Sequence, residues 1–135
     1  MQDLDQRAFA ARYADGATTR SELTNGRAPL PDLDNVSQFS RPFRQLMGAF
    51  LFNDIWNRPG LSRHDRCLVA LALLTAANRT QELKYYIGIA LDSGVTRDEI
   101  QEVLLQCVAY CGTLAGVGAF PAAEEVFAER DRRDG

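Results

Sequence analysis

The chain predicts an all-α fold, and three observations carry that prediction. Apolar residues recur at the i, i+3, i+4, i+7 spacing in one segment after another. Two of these segments open on serine or threonine with an acidic residue three places on, and several end at glycine. No stretch alternates apolar and polar residues with β-branched enrichment, so no strand is expected. At 135 residues, the expectation is a compact helical bundle of about six helices. It forms a single domain, 1–135, whose first part, 1–36, is an N-terminal helix and arm.

The first helix covers "LDQRAFAARYA", with Asp15 and Gly16 expected to end it. "TNGRAPLPDLDN" holds Asn-Gly and two prolines and reads as a loop or extended arm. A second helix starts near Ser40 and tolerates Pro42 in its first turn. Its apolar stripe is Phe43, Leu46, Met47, Phe50, Leu51 and Ile55, and "NRPG" closes it. "SRHDRCLVALALLTAAN" opens on Ser62 and Asp65 in a pattern close to a capping box. From Cys67 to Ala77 only Thr75 is not apolar. Such a helix is either central in the bundle or covered by another subunit.

The fourth helix contains "LKYYIGIALDSG", with Thr80 expected as its cap and Gly94 as its stop. Leu83, Tyr86, Ile87, Ala90 and Leu91 form its buried stripe, and Tyr85 and Ile89 lie on the flank. A full capping box, Thr96 with Glu99, opens "TRDEIQEVLLQCVAYCG". Ile100, Val103, Leu104, Cys107, Val108 and Cys111 make that stripe, and Gly112 ends it. In "TLAGVGAFPAAEEVFAER", Gly116 and Gly118 each cost about 1 kcal/mol in a helix interior, and Pro121 about 3. The stretch before Pro121 is therefore expected to be kinked or irregular, with a regular helix only beyond it.

Fifteen basic against 18 acidic residues give a net charge of −3. The only basic tract is the tail "AERDRRDG", which argues against a nucleic-acid or membrane-surface partner. No apolar run approaches the roughly 20 residues a bilayer span needs. "MQDLDQRAFA" has no apolar core of a secretion signal. Three cysteines, an odd number, suit reduced thiols, and the expected location is cytoplasmic.

Few residues offer chemistry. Cys107 and Cys111 stand four apart, which is not CxxC, and their place on an apolar stripe reads as packing. One histidine and no cluster at ligand spacing give no support for a metal site. That histidine, His64, lies in the first turn of its helix and is read as solvated, with the helix dipole opposing its charge. In "NDIWNRPGLSRHDR" the only tryptophan, Trp56, comes before Arg58, Arg63 and Arg66. Guanidinium binds carboxylate in a bidentate fork, so arginines beside an aromatic wall suit a small acidic ligand. Alternatively Trp56 plugs a helix end and the arginines are surface residues. Tyr86 has two readings as well, a satisfied core phenol or a group aimed into a cavity.

The stretch from "FSRPFRQLMGAF" to "LLQCVAYCG" resembles the carboxymuconolactone decarboxylase family, which has the alkyl hydroperoxidase D-like fold. "IWNRPGLSRHDR", "ALDSGVTRDEIQEVLLQ" and "AYCGTLAGVGAF" carry the resemblance most strongly, and "RYADGATTRSEL" extends it to the N-terminal arm. It implies a helical subunit that assembles with its own copies, as a homotrimer or homohexamer, with sites near subunit contacts. It also implies decarboxylation of a lactone acid without metal or organic cofactor. By the resemblance, the thiol positions of the peroxidase branch fall at Arg79 and Glu82, which argues against that chemistry here. In similar decarboxylases a histidine stands at the place of Tyr86, and another at the place of Gly118.

The resemblance makes Tyr86 a pocket residue, with Glu82 one turn away as its ionisable partner. These two are the expected catalytic groups, while Trp56, Arg58, Arg66, Tyr110 and Gly118 are the expected substrate-binding set. The function implied is a cofactor-independent enzyme acting on a small cyclic carboxylic acid or polyketide-like substrate, by decarboxylation or related lyase, isomerase or cyclase chemistry. The alternative, which the two absent histidines motivate, is an inactive ligand-binding or assembly subunit of the same fold.

Overall fold

The structure, a computed structural model, describes the backbone of residues 2–135 and the side chains from residue 8 onward. All regular structure among the described residues is helical, in two compact units, Met1–Leu61 and Ser62–Gly135.

In the first unit, α1 (Gln2–Leu23) does not stop at Gly16 but continues for two more turns. Gly16 is there for closeness, not for termination. A Cβ at 16 would run into the carbonyl oxygen of Gly48, and a Cβ at 48 would run into the Tyr13 ring. Two backbones touch where these glycines face one another. Arg12 pairs with Asp54, and the amide of Asn57 donates to Thr19 Oγ1 at 2.9 Å, so polar bonds flank the crossing. Tyr13 donates its hydroxyl to the Pro31 carbonyl at 2.6 Å, which ties the arm back to α1.

Ser40 precedes α2 (Arg41–Leu46), with Pro42 in the first turn as expected. The helix then widens into a π-helical segment, Met47–Ile55, and stops at Trp56. The widening overturns the expected stripe. Gly48, Ala49, Phe52 and Trp56 are buried, while Phe43, Leu46 and Phe50 are exposed. A π-helix takes more than four residues per turn, so residues four apart stay on one face and the 3.6-residue pattern is lost.

The second unit is four helices running alternately up and down. Ser62 caps α3 (Arg63–Ala76) by accepting the Asp65 N–H at 3.1 Å. Thr75, the one polar residue of the apolar run, donates to the Leu71 carbonyl at 2.7 Å, and so is buried without cost to hydrogen bonding. The helix is not buried all round: Val69 and Leu73 are exposed, the latter by 65 %. The reading of α3 as a fully central helix therefore does not hold within one chain.

α4 (Thr80–Asp92) begins one residue earlier than expected. Arg79 is the flanking residue, with no side-chain cap, and Thr80 is already helical. Leu83, Ile87 and Ala90 are buried as the stripe requires, but so is Ile89, which had been placed on the flank. Gly94, at φ +92°, follows the end of the helix. The Thr96–Glu99 capping box opens α5 (Arg97–Cys111) with both reciprocal bonds present, and Gly112 ends it.

α6 (Thr113–Asp134) contradicts the expectation of an irregular start, because it runs unbroken through Gly116, Gly118 and Pro121. Packing outweighs propensity here. Ala115, Gly116, Ala119, Ala122 and Ala123 are buried, and a Cβ at 116 would press on Val108 at 2.8 Å. Small residues let α6 approach α5 closely, and the exposed Pro121 loses only one backbone bond on the outer side. Farther along, Arg130 binds both carboxylate oxygens of Asp92, at 2.7 and 3.1 Å, and the Gly88 carbonyl at 2.9 Å. Lys84 meets Glu125 at 2.8 Å.

Candidate active site

These contacts fix which side of α4 faces which neighbour. Thr80 lies beside Gly118, Lys84 beside Glu125, and Gly88 and Asp92 beside Arg130. The row 80, 84, 88, 92 therefore faces α6, and the two helices run parallel. Glu82 and Tyr86 lie about 160° round the helix from that row. They share a face one turn apart, with Tyr86 half-buried and Glu82 exposed. The Tyr86 ring meets the Tyr85 ring edge-on, with centroids 5.7 Å apart and planes at 70°. Successive residues on a helix diverge, yet these two rings still brace one another.

Gly118 thus meets α4 on the side that Tyr86 does not occupy. A Cβ there would lie 3.3 Å from Thr80 Oγ1 and near nothing else, so the residue leaves a small notch beside a hydroxyl. Thr80 is a group that sequence reasoning passed over, since it was taken only as a cap.

Tyr110 stands elsewhere again. It is 85 % exposed and lines an open groove of about 530 Å³ between α3 and α5. Leu68, Val69, Leu73, Cys107 and Cys111 are among the other lining residues, whereas Tyr86, Glu82 and Gly118 are not. The groove is almost wholly apolar. Burial pushes the Cys107 thiol above its usual value and the neighbouring Cys111 adds to this, while its Sγ donates to the Ala72 carbonyl at 3.7 Å. The Cys107 thiol is a poor nucleophile by that measure, and Cys67, buried, is raised in the same way.

Arg66, half-buried, lies near the start of α3. Because Cys67 sits against Ser93, α3 and α4 run antiparallel, and Arg66 is level with the end of α4. That is roughly 12 Å along the axis from Tyr86 and roughly 18 Å from Glu82. In the first unit, Trp56 is buried at the end of the π-helical segment, and its backbone N–H donates to the Leu51 carbonyl at 3.0 Å. Arg58, two residues on, is exposed.

His64 corrects another expectation. It is not a solvated ring: Nε2 lies 2.8 Å from Glu99 Oε2 and Nδ1 lies 3.0 Å from Asp65 Oδ1. The hydrogen bond with Asp65 and the charge of Glu99 hold the imidazole above its usual value against desolvation. Glu99 in turn sits below the usual carboxylate range, first through the Thr96 backbone N–H and then through His64. No periodicity in the sequence links residues 64 and 99.

Comparison with known proteins gives the family. The model of the carboxymuconolactone decarboxylase family matches residues 41–125. A 4-carboxymuconolactone decarboxylase of Acinetobacter baylyi (strain ATCC 33305 / BD413 / ADP1) is 37 % identical over 116 residues, which cover 86 % of this chain and 87 % of the relative. A nitrosuccinic acid decarboxylase of Metarhizium robertsii (strain ARSEF 23 / ATCC MYA-3075) is 32 % identical over 101 residues, or 75 % of this chain and 71 % of the relative. Both relatives are decarboxylases, and a decarboxylase-like function is what they support for this chain. The family match, the identity over most of both chains and the all-helical structure agree: this chain belongs to the carboxymuconolactone decarboxylase family.

Proposed function

We propose that this protein is a decarboxylase of a small carboxylic acid, working without metal or organic cofactor, with Tyr86 as the group that delivers the proton. The observation that carries this reading is the 37 % identity to a 4-carboxymuconolactone decarboxylase across most of both chains. Loss of CO2 leaves an electron pair on carbon, which must be delocalised into the substrate and then protonated. Nitrosuccinic acid and carboxymuconolactone both contain an electron acceptor, a nitro group in one and a lactone carbonyl in the other. An acid of that design delocalises the charge itself, and the protein then has to supply orientation and a proton.

A half-buried phenol on α4 suits the second task, since tyrosine near pKa 10 is a proton donor at neutral pH and a poor base. Glu82 on the same face would return the proton to Tyr86 from water. Arg66 would hold a carboxylate of the substrate at the far end of the site. The protein would assemble with copies of itself across the α3–α5 face, where Val69, Leu73 and Tyr110 are exposed. CO2 release from 4-carboxymuconolactone and from nitrosuccinate by the purified protein tests the reading. Tight binding of either acid with no release would favour a binding subunit instead.

A further inference from the structure

The only histidine of the chain stands between two helices with a carboxylate at each ring nitrogen. Glu99 belongs to α5, and Asp65 to the histidine's own helix, α3. No group of α4 or α6, the other helices packed on α3, acts on the ring among the described residues. An ionised carboxylate only accepts hydrogen bonds, so each ring nitrogen must donate to keep both contacts. Neutral imidazole has one N–H, and imidazolium has two.

Glu99 works in two directions at once. Its Oε1 accepts the Thr96 N–H at 2.9 Å, closing the cap of α5, while its Oε2 takes His64. The first turns of α3 and α5 are thereby tied through one side chain. The helices run parallel from that point, since Ala72 meets Cys107 at the same separation of 35 residues that relates His64 to Glu99. The apolar groove between them starts a turn beyond the tie, at Leu68 and Val103.

We infer that His64 is a proton-operated pin between α3 and α5, which joins Glu99 to Asp65 while the ring is protonated and lets one of them go when it is not. Loss of the proton to solvent leaves a single N–H, so one contact must open. The end of the groove loosens with it. The sign follows from linkage: the folded ring is held above its ordinary value, so its contribution is complete below about pH 6.5 and is lost as pH rises through the folded value. Few other side chains change charge between pH 5 and 8.

The test uses the intact protein. The imidazole gives a single set of NMR signals, and its titration is followed in the wild type and in Glu99→Gln. Glutamine can still accept the Thr96 N–H, so the cap survives while the charge is removed. The wild-type ring should titrate above 6.5, and Glu99→Gln should bring it down. Melting temperature from pH 6 to 9 should fall more in the wild type than in His64→Gln. Amide exchange in residues 97–103, corrected for its intrinsic pH dependence, should accelerate through the same interval in the wild type alone. A wild-type ring titrating at or below 6.5, an unchanged titration in Glu99→Gln, or parallel melting profiles for wild type and His64→Gln would each overturn the pin.

Discussion

Thr80 and Gly118 face one another across α4 and α6, with the threonine hydroxyl 3.3 Å from the place a Cβ at 118 would take. The glycine sits inside a helix, where alanine is favoured by about 1 kcal/mol. A methyl group there meets only the end of a rotatable side chain. Gly118→Ala should therefore stabilise the protein by several tenths of a kcal/mol to about 1 kcal/mol in urea unfolding. Destabilisation would mean that the hydroxyl is held in place by something a rotation breaks.

Gly16→Ala should do the opposite. The new methyl group would be forced into the Gly48 carbonyl, and backbone cannot step aside as a side chain can. A loss of about 3 kcal/mol is expected. Trp56, the single tryptophan, is buried in the same unit, so its fluorescence reports this unfolding directly.

The Arg130–Asp92 pair is the most buried ion pair among those described, with side chains 16 and 10 % exposed. Asp92→Ala strands a guanidinium that has only the Gly88 carbonyl left among these contacts, and should cost about 3 kcal/mol. Replacing both residues by apolar ones, Asp92→Leu with Arg130→Met, should cost less than the single change. A double-mutant cycle gives the coupling, and additivity would show that the pair contributes nothing of its own.

On the acid side the sign reverses. Asp54 beside Arg12, Asp131 beside Arg97, and Glu99 at its cap are all held below the usual carboxylate range. Their contribution is complete above the unfolded carboxylate values, about 4, and is lost as pH falls through the folded ones. Together with His64 this places maximum stability between about pH 4.5 and 6.5. Thermal melts from pH 2 to 9 should show both limbs, with His64→Gln flattening the alkaline one and reducing the acid one only by the part of the Glu99 shift that His64 supplies.

How much of this was legible depends on the range of the interaction. Ser62 with Asp65, Thr96 with Glu99, and the stops at Gly94 and Gly112 were readable because a cap is made within one turn. The same local rules misread Gly16 and the stretch before Pro121, since both obey a neighbouring helix, Gly48 in one case and Val108 in the other. A penalty of a few kcal/mol in propensity is smaller than what close packing returns. The stripe of α2 failed for a different reason: the sequence does not announce a π-helix, and its period moves every side chain downstream. In the candidate site, the shared face of Glu82 and Tyr86 followed from spacing alone. The notch of Thr80 with Gly118 and the tie of His64 to Glu99 did not, because each joins residues more than 30 apart.

Tyr86→Phe is the most direct probe of the proposed chemistry. Phenylalanine keeps the edge-on contact with Tyr85 and removes only the hydroxyl, so the fold should be retained. Release of CO2 from 4-carboxymuconolactone, and in parallel from nitrosuccinate, would be followed with the wild type and this variant. Turnover of at least one acid by the wild type, lowered about 100-fold or more in Tyr86→Phe, is the predicted result. Equal turnover by the two proteins would contradict the role of Tyr86, and release from neither acid by the wild type would contradict decarboxylation of these substrates.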